Sequence, residues 1–233
     1  RQIQTGGEQQ DQQHIPVSKF SSVTEVFEFS APWFCHGIDC PEYAVDTNFS
    51  SIPGVERRLY NATKWVSVRV KGVSYDTALY DGFMTLFKYI SGANSDNVKI
   101  PMTAPVRTRL QPAAGPTCEN DFEVSFFIPF DFQDGTPAPT DDRVEIVSEE
   151  PFVAFVSSYG GFSSQSSVIS HAAELGAALK DAAFDIEEDF YFSAGYDPPF
   201  RIFNRHNEVW VMEKSSEKKG EMSLGLDQVQ DLE

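Results

Sequence analysis

The chain runs twice through the same order of predicted elements: a strand, a helix and two further strands. In the first pass, residues 64–70 alternate apolar and polar side chains with a period of two, as in a strand with one buried face. The matching strand of the second pass covers residues 151–156, and Trp65 and Phe152 lie 87 residues apart. This order indicates an internal duplication. Such units pack as one α+β sheet or an open barrel with both helices on the same layer.

Each pass contains one amphipathic helix that starts at a hydroxyl or carboxylate side chain. The first helix is predicted to begin at Ser74 or Asp76 and to end near residue 91. The second is predicted to begin at Ser166 or Ser167. The remaining extended segments are predicted at 99–106 and 122–128 in the first pass and at 189–194 and 208–212 in the second.

The domain prediction follows from where this pattern starts and stops. Residues 1–33 are rich in Gln and other polar residues, and we expect a largely flexible arm there. Residues 215–233 are expected to form a flexible tail. Residues 34–214 then form the folded domain. Its two repeats are predicted at about 40–130 and 143–214, joined by an acidic, Pro-rich linker over 130–142.

The net charge restricts the partners. The chain has 18 basic and 35 acidic residues, a formal net charge of −17. Nucleic-acid binding needs clustered Lys and Arg, so a nucleic-acid partner is not predicted. The same charge disfavours an anionic membrane surface. No apolar run reaches the roughly 18 residues of a membrane span. A small molecule or another protein remains as the expected partner.

Cysteines and glycosylation sequons favour the secretory route. Cys35 and Cys40 are close enough for a small disulfide loop, but Cys118 could pair with either of them, so the pairing stays open. Two sequons place candidate glycans on Asn48 and Asn61. A chain that starts without Met also fits a mature protein after signal cleavage. We therefore predict a secreted, extracellular glycoprotein.

The residues do not predict an enzyme or a metal site. No nucleophile elbow, P-loop or dinucleotide motif occurs in the sequence. The cysteine spacing does not suit zinc, and no His pair follows at ligand distance. We therefore predict no catalytic residues and no metal ligands.

The first helix is the candidate binding element because it is apolar on two sides. One apolar stripe covers the core, whereas a second stripe needs either a wider core or a groove for a flat ligand or a partner helix. Phe and Met suit such a groove because they are aromatic or polarisable. The stripes are Leu79, Phe83, Leu86 and Ile90 towards the core, and Tyr80, Met84 and Phe87 on the second side.

Several short motifs in a fixed order resemble those of the SOUL haem-binding protein family. They include KWVS at 64–67, KIPMTAPV at 99–106 and AGYDPP at 194–199, and the resemblance spans roughly residues 40–214. It implies a distorted β-barrel built from two repeated strand-helix-strand-strand units, with two helices packed on it. It also implies binding of haem or another tetrapyrrole in a hydrophobic groove beside the first helix. The segment containing Cys35 and Cys40 resembles the secreted branch.

The resemblance also assigns roles by position. Some members carry a proposed axial His at the position of Leu59, and a Leu side chain cannot ligate iron. Haem is therefore expected without a confident axial ligand. Basic residues of the groove bind the haem propionates in the family. The predicted ligand-binding residues here are Tyr80, Phe83, Met84, Phe87, Lys88 and Arg201.

Three functions compete on this basis. The leading hypothesis is a secreted, non-enzymatic protein that binds haem or a related flat hydrophobic ligand. The alternative is an interaction module whose groove accepts a partner's amphipathic helix. A tetrapyrrole-modifying enzyme, for example one that removes the metal, is the third.

Overall fold

One antiparallel sheet organises the part of the chain that the computed structural model describes, residues 31–71, 74–112 and 121–214. Within these ranges the chain forms nine strands, two α-helices and two short 3-10 turns. Most of the predicted arm, the predicted tail and Cys118 lie outside the described residues. The strands are β1 Tyr43–Val45, β2 Val55–Tyr60, β3 Thr63–Lys71, β4 Val106–Leu110, β5 Asp121–Phe127, β6 Val144–Glu149, β7 Phe152–Tyr159, β8 Tyr191–Gly195 and β9 Asn207–Met212. The helices are α1 Tyr75–Ile90 and α2 Gln165–Asp181.

The strand order confirms the predicted duplication and the α+β class. The sheet runs β1-β2-β7-β9-β8-β4-β5-β3-β6 and curls into a half-barrel. The order β3-α1-β4-β5 in the first repeat recurs as β7-α2-β8-β9 in the second, and β4 pairs with β8 between them. An additional strand precedes each repeat. β2 pairs with β7 and β6 pairs with β3, so each leading strand joins the sheet beside the other repeat.

Both helices pack on one face of the sheet. Val209 and Val211 of β9 share a buried cluster with Val168 and Leu175 of α2, while α1 covers β3 and β5. Side chains alternate along a strand, so Glu208 and its neighbours at even positions point to the opposite face. No helix in the described part of the chain is long and apolar enough to cross a membrane.

Helix α1 buries two of the four residues in its predicted core stripe, Leu86 and Ile90. Leu79 and Phe83 of that stripe are only half-buried, because the helix approaches β5 through its smallest residue. A Cβ atom added at Gly82 would lie 2.5 Å from Cγ2 of Val124. This close approach buries residues on either side of Gly82 instead. The buried α1 residues are Tyr75, Ala78, Gly82, Leu86, Tyr89 and Ile90.

The helix caps agree with one prediction and correct the other. Ser74 caps α1, and its side chain accepts a hydrogen bond from the Thr77 N–H at 3.3 Å. The N-cap of α2 is Ser164, not Ser166 or Ser167. Ser164 Oγ accepts from the Ser167 N–H, and Ser167 Oγ accepts from the Ser164 N–H at 2.8 Å. The run of serines offers several caps, and only this reciprocal geometry distinguishes them.

The predicted linker and the disulfide loop both pack on the domain. Tyr89 at the end of α1 donates a hydrogen bond to the carbonyl oxygen of Pro137 at 2.7 Å, which ties the 130–142 segment to the helix. At the start of the domain, a disulfide joins Cys35 to Cys40. It closes a small loop, one of the pairings that the sequence left open.

Candidate functional site

The second apolar stripe of α1 lies on the surface. Tyr80 is 66 % exposed and Phe87 is 43 % exposed, and Met84 is also partly open to solvent. Phe83 is half-buried between Phe87, on which it stacks at 5.8 Å, and Phe126 of the sheet, which it meets edge-on at 5.2 Å. The second stripe is therefore not explained by a wider hydrophobic core.

The C-terminal end of this stripe borders an open depression of about 350 Å³. The Pro-containing segment before β4 forms its other wall, because the Ile100 N–H donates to the Ile90 carbonyl oxygen at 2.8 Å and fixes that segment to the helix end. Small-molecule sites occupy roughly 300–1,000 Å³, so the depression is at the small end of that range. It is lined by Phe87, Ile90, Ser91, Lys99, Ile100, Pro101 and Met102.

Lys99 supplies positive charge at this depression, whereas Lys88 is not among its lining residues. Lys99 is exposed and lines it, and Lys88 lies in the last turn of α1. In the described part of the chain, neither ammonium group forms an ion pair within 4.0 Å. Hydrogen bonds from Arg143 lower the pKa of Asp141 to about 2, and the nearby charge of Lys88 adds to this effect. Both lysines remain available to a ligand carboxylate.

Arg201 and Leu59 lie elsewhere. Arg201 belongs to the loop between β8 and β9, and its guanidinium binds the Asp197 carboxylate at 3.0 Å. It is not among the described residues that line the depression. Leu59 lies on β2, and four strands separate β2 from β5 in the sheet. The structure thus brings five of the six predicted residues together on α1 and leaves Arg201 apart.

The sequence reasoning missed Lys99, Ile100 and Met102 as wall residues. A signal was available, because these residues lie in the KIPMTAPV motif at 99–106 that supported the family resemblance. The prolines of this motif keep the segment extended, so that it can lie beside a helix end rather than continue as a helix.

The depression suits an apolar ring with carboxylates better than an iron atom that needs imidazole. The described histidines are engaged elsewhere: His36 with Asp197 at 2.8 Å, His206 with Glu208 at 2.8 Å, and His171 stacked on Tyr159. The described residues contain no group of three or more potential metal ligands. Met102 is the wall residue whose thioether could bind iron.

A buried charge cluster lies on the opposite face of the sheet. Oε1 of Glu208 faces Arg58 at 3.0 Å and His206 at 2.8 Å. Oε2 accepts hydrogen bonds from Tyr196 at 2.8 Å and Trp210 at 2.7 Å. Burial raises the pKa of Glu208, but Arg58, His206 and the Trp210 N–H outweigh it, and the pKa ends below its usual value. These partners neutralise the charge of Glu208 and occupy both of its carboxylate oxygens. The cluster is therefore structural and offers no free group to a ligand.

Comparison with known sequences matches the chain to one protein family over most of its length. A sequence profile described as "SOUL heme-binding protein" matches residues 38–212. Heme-binding protein 2 of Homo sapiens is 34 % identical over 183 residues, covering 78 % of this chain and 89 % of the relative. Heme-binding protein 1 of Xenopus laevis is 32 % identical, covering 69 % of this chain and 84 % of the relative.

Solved structures with the same fold are more distant in sequence. The C-terminal domain of EcmrR aligns with a TM-score of 0.51 at 11 % identity, covering 69 % of this chain and 97 % of that domain. At that identity the likeness concerns the fold alone.

Proposed function

The chain belongs to the SOUL heme-binding protein family, and we propose that it binds haem or a related flat tetrapyrrole beside the C-terminal half of α1. The observation that supports this most directly is the exposure of the Tyr80, Met84 and Phe87 stripe next to an open depression. The two relatives named above have names that describe heme binding and no reaction. We therefore propose a binding protein rather than an enzyme.

The depression is too small to enclose a whole macrocycle, so the ring lies partly across the helix surface. One part of the ring fits between Phe87 and Met102, and the rest covers Met84 and Phe83. Burial of apolar surface contributes about 25 cal/mol per Å² and dominates the binding. Lys99 and Lys88 face the ligand carboxylates in place of Arg201, because Arg201 is already paired with Asp197.

The iron atom is expected to add little to affinity. No described histidine reaches the depression, so the protein should bind metal-free protoporphyrin within about threefold of haemin; one full axial bond would change affinity far more. Fluorescence quenching and absorbance titration of both ligands measure this. Met102→Leu keeps the apolar wall and removes the thioether, so it should leave haemin affinity unchanged. A haemin affinity far above that of the free porphyrin would contradict the absence of an iron ligand.

Lys99→Glu is expected to weaken binding of a dicarboxylate porphyrin by about tenfold, since it replaces an attractive charge with a repulsive one. The dimethyl ester of the same porphyrin lacks the carboxylates and should bind wild type and variant alike. Lys180→Glu, on the exposed side of α2, is the matched control for the change in net charge. Equal weakening by both substitutions would mean that the depression is not the site. Capture of one stoichiometric protein partner, with no saturable porphyrin binding, would favour the interaction module instead.

We also propose that the protein is secreted and glycosylated. Asn48 is exposed in a turn and Asn61 is exposed in the short connection between β2 and β3, as an acceptor asparagine must be. The two sequons differ in their hydroxyl residue. Ser50 is exposed, whereas Thr63 is buried and its hydroxyl accepts a hydrogen bond from Trp65 Nε1 at 3.0 Å. The Asn61 glycan must therefore be added before the chain folds.

Protein collected from the native source should lose mass when an N-glycosidase is added. Asn48→Gln and Asn61→Gln should each remove one glycan, and Asn204→Gln, which has no sequon, should remove none. A protein retained inside its source cells, with no mass change after the glycosidase, would contradict the proposal.

A further inference from the structure

Three loops meet at one end of the sheet. They are the disulfide loop at 33–40, the β7–α2 loop at 160–164 and the β8–β9 loop at 196–206. The ring of Trp33 lies 5.8 Å from that of His206, and His36 binds Asp197 at 2.8 Å. The Arg205 guanidinium lies 4.4 Å above the Phe162 ring. The β8–β9 loop therefore contacts both of the other loops, and we call this assembly the loop end.

The loop end exposes large apolar side chains. Phe200 is 84 % exposed, Phe203 is 80 % exposed and Trp33 is 63 % exposed, and Ile202 and Phe162 are also mostly open. Soluble proteins rarely present so many large apolar groups together unless another surface covers them.

Polar contacts hold these side chains outward. Arg205 donates hydrogen bonds to the carbonyl oxygens of Asp197, Pro198 and Arg201 at 2.7–3.2 Å. The Asp197 carboxylate in turn accepts from the His206 N–H at 2.6 Å. The backbone of the β8–β9 loop is thus fixed by Arg205 and Asp197. The exposed apolar side chains of this loop cannot turn inward without breaking these hydrogen bonds.

The β8–β9 loop carries two arginines and one carboxylate, although the chain as a whole is acidic. Asp197 is the only carboxylate in the two loops at 160–164 and 196–206, its side chain is fully buried, and it already pairs with Arg201. Among the described residues, Arg205 contacts neutral carbonyl oxygens and the Phe162 ring, and no carboxylate neutralises it. Asp39 of the disulfide loop accepts from the Phe130 N–H, in the segment after β5. The remaining negative charge of the chain is screened beyond roughly 8 Å at physiological salt.

We propose that the loop end docks on the surface of a phospholipid bilayer that contains anionic lipids. Trp33, Phe200 and Phe203 enter the interfacial region, where aromatic side chains are favoured. Arg201 and Arg205 lie at the level of the phosphates, which supply the negative charge that Arg205 lacks within the described chain. The overall charge of −17 disfavoured a membrane surface, but that average does not describe the field within one Debye length of this patch.

Intrinsic fluorescence tests this proposal without a label. Trp65 and Trp210 are fully buried, so Trp33 alone among the three tryptophans can change its solvent contact. Adding vesicles of phosphatidylcholine and phosphatidylserine, in a ratio of about three to one, should shift the emission of the full chain to shorter wavelength. The same vesicles should sediment the protein, and salt at about 0.5 M should weaken this binding.

The double variant Phe200→Ser with Phe203→Ser should reduce partitioning about tenfold or more, because it removes two large apolar groups from the lipid contact. Val45→Ser with Val98→Ser is the matched control, since both residues are exposed and belong neither to the three loops nor to the apolar stripe of α1. Equal partitioning of the two double variants would overturn the proposal. The absence of vesicle binding would overturn it as well. A dimer that the Phe200 and Phe203 substitutions dissociate would then show that the patch binds a second copy of the chain.

Discussion

Replacing Arg58 by Met is expected to lower the free energy of unfolding by about 3–5 kcal/mol, because the substitution leaves a buried carboxylate without its charged partner. Arg58 and Glu208 are both almost completely buried, and they meet at 3.0 Å. Met fills a similar volume, so the effect reports the charge and not a cavity. Urea unfolding followed by tryptophan fluorescence measures it, since Trp210 donates a hydrogen bond to the same carboxylate.

The pH dependence of this effect has a definite sign. In the wild type the pKa of Glu208 is lowered, so its contribution to stability is present above the unfolded value of about 4.3 and is lost as the pH falls through the lower folded value. Without Arg58, burial is expected to raise the pKa of Glu208 above the unfolded value. The contribution is then present below about pH 4.3 and lost as the pH rises. The stability difference between variant and wild type should therefore narrow in acid.

The control is Arg69→Met, which removes an arginine whose side chain is 64 % exposed beside Glu123 and Glu145. Exposed ion pairs contribute at most about 1 kcal/mol, so this variant should remain close to wild type. A loss below about 1 kcal/mol for Arg58→Met, or a difference that grows as the pH falls, would refute the role assigned to the pair.

The duplication could be predicted because each repeat has a local pattern. Alternation in β3 and β7 and the apolar periods of the helices depend only on neighbours in the sequence. The exchange of β2 and β6 could not be predicted, because it depends on which distant strand each one pairs with. β6 pairs with β3, and β2 pairs with β7, across about one repeat length of chain. The local sequence pattern of a strand does not indicate which distant strand it pairs with.

The site shows the same division between local and distant information. The exposed stripe was visible because Tyr80, Met84 and Phe87 recur at helical spacing. Lys99 and Met102 reach it from another segment, fixed by the contact between Ile100 and Ile90. Arg201 was assigned to the groove by resemblance alone, and its pairing with Asp197 was not evident from the spacing. Leu79 and Phe83 were expected in the core because periodicity counts apolar residues and misses the close approach that a glycine permits.

Gly82→Ala is expected to destabilise the protein by about 1–3 kcal/mol, although alanine is the better helix former, because the added methyl group overpacks the core. The new Cβ would lie 2.5 Å from Cγ2 and 2.7 Å from Cβ of Val124, closer than carbon atoms pack. Val124 is completely buried in β5, so it cannot simply turn away. Chemical denaturation gives the loss in stability. Because α1 must move outward, porphyrin affinity should fall as well, since Phe87 and Ile90 would shift against Ile100 on the far wall.

Gly176→Ala in α2 separates this steric effect from helix propensity. No atom lies within 4 Å of a Cβ atom added at Gly176, so the same substitution should stabilise the protein by about 0.5–1 kcal/mol. The double variant Gly82→Ala with Val124→Ala should recover part of the loss, because it removes Cγ2, the atom at 2.5 Å, while the Cβ atom at 2.7 Å remains. If both single glycine variants changed stability in the same direction, the close approach of α1 to β5 would not be what determines which face of the helix is buried. The exposed stripe of Tyr80, Met84 and Phe87 would then need another cause, since in this structure it lies on the side of α1 away from that contact.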